Sequence, residues 1–532
     1  MLSPRVHRAF FGPFRGQLRP IQQIAIERLH GERDALVIAG TGSGKTEAVL
    51  APVAEGLLES EAQAASSSRL RALIISPTRA LASDLHRRMV PIFEALGLRL
   101  DVATSDLRTM GSTPTDILIR TPEGLDRHLC TQGDSLTGIL YVVIDEMHQF
   151  LNDPRGTQLA GLLTRLTKAA PPHRRIGISA TVSDKLAPVG MRLLRDPIIV
   201  EDPSETGSVE IHYHRWMGSD EQAATRFLRE LRELGVQKAV GFVGKRDRAE
   251  RVSNLLARDQ YRGRSFAHHA ALSSAERRKI EEVLRKLPVA LVVATKTLEV
   301  GIDIGNLDTC ILFDPPPDHE SYLQRIGRAG RRSGVRRVIC VHDLFDRKRE
   351  FVRVVEPALN RATRSDHRPF LAGCFQQVMS FVATHGARPV VELRWFWQDA
   401  FGLDESLLSR LISICVDNGW LIESDGIVET GPKLRALESS GQLHLTFSGT
   451  VGTPLIDEST GRTLGYVALQ PGGSILLGGS GRKITGFDAE RGAAISVPTE
   501  TGEARFVRAG LSVFERLAHR HERYFGGKVR VE

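Results

Sequence analysis

Three short stretches of this 532-residue chain place chemically capable side chains at fixed spacing. The first is AGTGSGKTEAV, residues 39–49. Gly40, Gly42 and Gly44, with Thr41 and Ser43 between them, let backbone N–H groups curl around phosphate oxygens, and a helix opening there adds its positive dipole end. Lys45 is expected to reach the β- and γ-phosphates and the Thr46 hydroxyl to ligate Mg²⁺. The first position of this GxxxxGKT pattern is Ala39. The second stretch is IDEMH, 144–148. Asp145 can hold Mg²⁺ through water, and Glu146 can orient and deprotonate an attacking water. The third is LQRIGRAGRR, 323–332, with four arginines and two glycines. A γ-phosphate held elsewhere needs its developing charge stabilised, and arginines of a neighbouring domain supply this when the domains close. Arg328 and Arg331, at i and i+3, share one helical face, and Gly327 and Gly330 let that face approach closely.

The elements that must carry these residues are legible in the apolar runs ALVIA (35–39), RALIIS (71–76), DILIR (116–120), ILYVVID (139–145), RIGIS (175–179), VGFVG (240–244), ALVVAT (290–295) and RRVICV (336–341). Near-continuous apolar strands separated by helical patterns indicate parallel sheets buried on both faces. They are too many for one small sheet, and the polar EDPSETGSVE (201–210) reads as a linker between two tandem α/β domains. Asp145 then stands at the carboxyl end of a parallel strand, where such sheets bind ligands. Residues 405–438 read as a helix, a turn and two short strands around Asp425-Gly426, a winged-helix pattern. From Gly441 to about Arg508, frequent glycine and short runs suggest a small antiparallel barrel or sandwich, closed by an amphipathic helix at 511–525. The expected domains are 1–205, 206–368, 369–440 and 441–532.

In motif order, residues 10–345 resemble a superfamily 2 DEAD/DEAH-box-like helicase, and FAHHAALSSAERRKIEEVL (266–284), TLEVGIDIG and QRIGRAGR look most like the Lhr (large helicase-related) family. A weaker likeness continues through DESTGRTLGYVAL (457–469). The resemblance implies two RecA-like parallel-sheet domains, then a winged-helix domain and a β-rich domain. It makes Gln22 the adenine-reading glutamine, Asp303 the acidic residue at the domain cleft, and Arg328 and Arg331 the fingers. Thr78 and Arg79 in SPTRAL, Thr121 in TPEGL, and Thr295 become strand contacts. His148, Ser179, Thr181, Gln324 and Arg325 become the residues that couple hydrolysis to movement. The implied function is ATP- and Mg²⁺-dependent movement along single-stranded DNA, 3′-to-5′, with unwinding of duplexes in DNA repair. An RNA-remodelling ATPase, or a motor subunit of a larger nucleic-acid-processing complex, shares the same motor. DEMH and QRIGRAGR depart from DEAD and HRIGRTGR, and the chain is shorter than a full Lhr core.

Composition agrees with a nucleic-acid partner and excludes other classes. The chain carries 71 basic and 63 acidic residues, a net +8. This leans toward a polyanion. Five scattered cysteines, without CxxC or zinc spacing, read as core thiols of a cytoplasmic protein rather than a disulfide framework, zinc site or iron–sulfur centre. No apolar stretch reaches membrane-spanning length. The basic N-terminus, MLSPRVHRAFFGPFRGQLRP, reads as part of the first domain. His268-His269 reads as a strand-end pair packing in the fold rather than a metal site. Trp395 and Trp397 in RWFWQDAF read as winged-helix core, with base stacking as the alternative.

Overall fold

The computed structural model describes residues 2–12, 17–40, 42–61, 70–104, 109, 114–150, 153–170, 172–180, 192–202, 208–298, 307–317, 319–327, 329, 335–343, 345–355, 368–444, 453–468, 474–488, 493–499, 502 and 511–530. The first sheet contains β1 (Ala35–Ile38), β2 (Ala72–Ile75), β3 (Leu100–Val102), β4 (Ile117–Arg120), β5 (Tyr141–Ile144), β6 (Arg174–Ser179) and β7 (Ile198–Glu201), in the order β3-β4-β2-β5-β6-β1-β7. Its pairings are parallel. Helices cover both faces, so β1, β2 and β4 are buried at every position. The N-terminal helix Pro4–Phe11 joins this core through Val6, Phe10 and Phe11, as its clustered aromatics suggested.

The second sheet contains β8 (Ser208–Arg215), β9 (Lys238–Phe242), β10 (Ser265–His268), β11 (Ala290–Ala294), β12 (Thr309–Leu312) and β13 (Val335–His342), in the order β10-β11-β9-β12-β13-β8, also parallel. The run β11-β9-β12-β13-β8 repeats the β4-β2-β5-β6-β1 order of the first sheet. Two RecA-like parallel sheets are therefore present. The part of the expected linker that falls on Ser208–Glu210 is already strand β8, because it pairs with Val335–Arg337.

The remaining segments form β14 (Arg388–Pro389), β15 (Leu421–Ser424) and β16 (Ile427–Thr430), then β17 (Thr453–Asp457), β18 (Thr463–Val467), β19 (Ser474–Leu477), β20 (Ser480–Asp488) and β21 (Ala493–Thr499). Asp425 and Gly426, at φ 54° and 74°, make the tight hairpin turn of the wing. In the five-stranded sheet β18-β17-β21-β20-β19, β17 and β21 run parallel, a departure from the all-antiparallel arrangement expected.

The chain forms two compact units that are not its sequential domains. The first joins Met1–Ser204, Arg364–Ser448 and Leu511–Glu532; the second joins Glu205–Thr363 and Gly449–Gly510. The helix Val513–His521 thus belongs to the winged-helix core through Phe514, Leu517 and Ala518, and not to the β-rich segment it was expected to close.

Each unit is fastened by a buried carboxylate. In the first, Asp126 accepts from Arg165 (2.7 Å), Ser380 (2.8 Å), Gln376 (2.8 Å), Gln377 (3.3 Å) and His444 Nδ1 (2.7 Å). Ligating atoms of Asp126, Cys130 and His444 lie within 4.8 Å of one another. The donors crowded on Asp126, Arg165 above all, make this a hydrogen-bond hub and not a cation site. In the second, Glu250 accepts from His269 Nε2 and from the backbone N–H groups of Gly478 and Gly479, each at 2.6 Å. His268 bonds Thr297 (2.8 Å) and Glu281 (3.2 Å). The His268-His269 pair therefore serves packing, as its sequence context suggested. Trp397 is fully buried and stacked on Phe401 at 5.0 Å, whereas Trp395 is 67% exposed and lies under the Lys168 ammonium.

Candidate active site

Strand β1 delivers the chain into the glycine loop, and the helix Lys45–Glu61 leaves it. Gly42 and Gly44 adopt φ of 86° and 88°, a left-handed backbone that favours glycine. A Cβ on Gly44 would also lie 2.3 Å from Gln22 Nε2. Ser43 ties the loop to itself, its hydroxyl donating to Gly40 O at 2.8 Å. Gln22 is buried and engaged at both amide atoms: Oε1 accepts from Arg19 N–H (2.9 Å), and Nε2 donates to Gly44 O (3.3 Å). Arg19 also donates to Gly42 O. The helix Pro20–Arg28 and its N-cap Arg19 thereby bond two carbonyls of the loop. Lys45 is buried, and Thr46 is half-buried in the first turn of its helix.

Asp145 and Glu146 follow β5, whose neighbour β6 separates it from β1. Burial, and then the Glu146 carboxylate, push Asp145 up to about 7 against the pull of Arg88 and Lys45. Adjacent carboxylates, one driven toward its neutral form, suit a divalent cation, which would restore charge to both. Thr46 and Asp145 are thus a chemically consistent oxygen set for Mg²⁺. Glu146 has φ 45°, left-handed and rare for a residue with a Cβ. Such strain turns its carboxylate away from the strand direction and toward His148, whose Nε2 lies 3.6 Å from Glu146 Oε2. The same ring accepts from Ala180 N–H at 3.3 Å through Nδ1, beside Ser179 Oγ at 3.3 Å. With Nδ1 accepting, a neutral His148 carries its proton on Nε2, facing Glu146. The His148 ring thus stands between the end of β6, which it bonds, and the Glu146 carboxylate 3.6 Å from its other nitrogen.

Two further helices start side by side, after the neighbouring strands β2 and β4. Thr78 and Thr121 are their N-caps, each hydroxyl accepting a backbone N–H at 3.3 Å, from Leu81 and Gly124. Arg79 is exposed beside them. Helix N-termini on one sheet edge, with an arginine, form a surface suited to successive phosphates.

The chain matches the family model described as DEAD/DEAH box helicase over residues 19–189 and that described as Helicase conserved C-terminal domain over 223–333. It belongs to the superfamily 2 DEAD/DEAH-like helicases.

Within that superfamily its sequence is similar to Lhr-Core helicases. It is 32% identical over 367 residues to ATP-dependent helicase Lhr-Core protein 2 of Thermococcus barophilus, covering 62% of this chain and 42% of that one. It is 33% identical over 343 residues to ATP-dependent helicase Lhr-Core of Methanocaldococcus jannaschii, covering 59% and 40%. The chain thus matches about two-fifths of the length of these curated relatives. The DUF1998 helicase MrfA bound to DNA and AMPPNP shares its fold with a TM-score of 0.73 at 20% identity, over 94% of this chain and 72% of that one. Helicase Lhr of Mycobacterium smegmatis bound to ssDNA and AMP-PNP gives 0.69 at 23% identity, over 89% and 67%.

The helicase core keeps its other sequence-assigned residues in the second unit. Thr295 follows β11, its N–H donating to His268 O at 3.2 Å. Gln324 and Arg325 lie on the helix His319–Ile326, with Arg325 buried and its guanidinium 5.2 Å over the Phe242 ring. Thr41, Thr181, Asp303, Arg328 and Arg331 lie outside the described residues. Three residues escaped the sequence reading. Arg19, three before Gln22, was legible in LRPIQ. Arg155, which donates to Pro77 O at 2.6 Å in the SPTRAL loop, and Arg88, which pairs with Asp84 and Glu47, carry no local signal. Among the described residues, no helix is long and apolar enough to cross a membrane.

Proposed function

We propose that this chain is the ATP-hydrolysing motor of a helicase or translocase that moves on single-stranded nucleic acid, DNA before RNA, in the 3′-to-5′ direction, and separates duplexes. The observation that carries the reading is the position of His148, bonded by Ala180 N–H at the end of β6 and with Nε2 3.6 Å from the Glu146 carboxylate, the residue suited to activate water. The DNA-bound states of MrfA and of Lhr from M. smegmatis support DNA as the track.

In this reading the Gly40–Gly44 N–H groups and Lys45 bind the phosphates, and Gln22 sets the loop. Arg19 steadies the loop by donating to Gly42 O. Thr46 and Asp145 would hold Mg²⁺, which when bound offsets the negative charge of the phosphates. Glu146 orients the attacking water and takes its proton, and the strained backbone presents its carboxylate for that task. His148 faces Glu146 through Nε2, so a change of charge there alters the orientation of the ring and of Ser179 and Ala180, bonded to its Nδ1. Arg328 and Arg331 serve as fingers and Asp303 as the cleft acid, roles assigned by their motifs alone, and Arg325 supports them. Thr78, Arg79, Thr121 and Thr295 hold the strand by its phosphates, so binding is sequence-tolerant and weakens with salt.

Steady-state ATP hydrolysis, with no nucleic acid, single-stranded DNA, duplex DNA or matched RNA, tests the reading. Stimulation by single-stranded DNA that disappears in Glu146→Gln supports it. Stimulation by RNA alone moves the track to RNA, and unchanged turnover in Glu146→Gln overturns the catalytic assignment.

A further inference from the structure

The second unit repeats the strand order of the first, has no phosphate loop among its described residues, and at the corresponding edge keeps a cavity. The order β10-β11-β9-β12-β13-β8 reverses direction between β9 and β12. Crevices at the carboxyl ends of strands beside such a reversal are where open parallel sheets bind ligands. A cavity of about 580 Å³ opens there, within the range of small-molecule sites.

Its lining combines three chemistries. Trp216 follows β8, the counterpart of β1, and occupies the place where the first unit has its glycine loop. It is half-buried, tied by its N–H to His342 O at 2.8 Å and by its indole N–H to Asp220 at 3.3 Å. Phe227 and Phe313 pack beside the ring at 6.0 and 6.2 Å, so the indole is held as a fixed plate. Asp314 follows β12, the counterpart of β5. It accepts from Gly244 N–H at 2.8 Å and pairs with Arg248 and Arg347, and is already neutralised. The side chains of Lys245 and Arg251, which also line the cavity, make no ion pair or hydrogen bond among the described residues. Asp247 on the same rim likewise has no side-chain partner there.

An aromatic plate, two uncommitted cations and one uncommitted carboxylate match the parts of one ligand class. A base stacks on an indole, a phosphate pairs with Lys and Arg, and ribose hydroxyls donate to a carboxylate. We propose that this crevice binds a free nucleoside phosphate, as a second nucleotide site separate from the Lys45 loop. Trp216 carries the base, Lys245 and Arg251 the phosphate, and Asp247 the ribose.

Equilibrium dialysis of ADP against the full chain tests this. The expected result is two ADP per chain, falling to one in Lys45→Ala and to one in Arg251→Glu, with none in the double variant. Arg251 is exposed, so Arg251→Glu keeps the fold, and it weakens the second site by at least about tenfold. Trp216→Ala, checked for folding by circular dichroism, removes the same site. A single ADP per chain that disappears in Lys45→Ala overturns the second site while leaving the motor reading intact. Two ADP that survive Lys45→Ala but fall in Arg251→Glu keep the second site and count against the loop assignment. A single ADP per chain, with single-stranded DNA binding weakened in Arg251→Glu, assigns the crevice to the strand and overturns the proposal.

Discussion

Asp126 Oδ1 lies 2.7 Å from Arg165 Nη1, with both side chains withdrawn from solvent. Asp126 sits on the helix Pro122–Gln132 that begins at Thr121, and its other donors sit on Leu371–His385 and at His444. The helix that begins at Thr121, which we propose contacts the strand, is therefore bolted to the winged-helix core of the same unit. Asp126→Ala leaves Arg165 buried without its carboxylate, and the expected cost is about 3–5 kcal/mol in urea unfolding.

The same residue sets an acid dependence. Burial alone would raise the Asp126 carboxyl, but the His444 hydrogen bond and the Arg165 charge outweigh it and hold the group at about 2. A carboxyl held below its unfolded value stabilises fully above that value. The contribution is therefore complete above about pH 4 and is lost as pH falls toward about 2. Thermal unfolding between those limits should fall more steeply with acid in the wild type than in Asp126→Asn.

Glu146→Gln keeps the shape of the side chain and its backbone demand but cannot take a proton. Turnover of ATP is expected to fall about 10²–10⁴-fold, with ADP affinity retained. Stopped turnover assays beside ADP titration separate the two effects. Loss of both would assign Glu146 to shaping the loop rather than to the water.

Glu250 accepts two backbone N–H groups of the β19–β20 turn, so Glu250→Gln sets an amide N–H against at least one of them. The expected cost is about 1–3 kcal/mol. Hydrogen exchange at Gly478 and Gly479 should quicken in that variant. Gly479→Ala should act in the same direction, since φ is 84° and the added Cβ would lie 2.8 Å from Ser253 Oγ.

The two tryptophans of RWFWQDAF should differ sharply. Trp397→Ala empties a fully buried aromatic site and should cost about 3–5 kcal/mol. Trp395→Ala removes a 67% exposed ring and should change stability by within about 0.5 kcal/mol. Thermal melts of the two variants side by side check the contrast, and equal losses would contradict the burial pattern.

What could be read directly from the sequence is what neighbouring residues impose on one another. ALVIA, RALIIS and ILYVVID become β1, β2 and β5 because unbroken apolar runs demand cover on both faces. The glycine loop, the strand-end Asp145-Glu146 pair and the Asp425-Gly426 turn follow from backbone freedom within a few residues. The short strand β3 was missed because its run of three residues offers too little pattern. The order of the strands, the position of His148 between Glu146 and Ala180, and the attachment of the terminal helix to the winged-helix core were decided only by tertiary structure. So were the two carboxylate hubs. Asp126 and His444 stand 318 residues apart, and Glu250 and Gly478 stand 228 apart. A buried carboxylate must find donors, but any donor of the right reach satisfies it. Local sequence therefore fixes the need for a partner, and only the packed chain chooses which residue answers it.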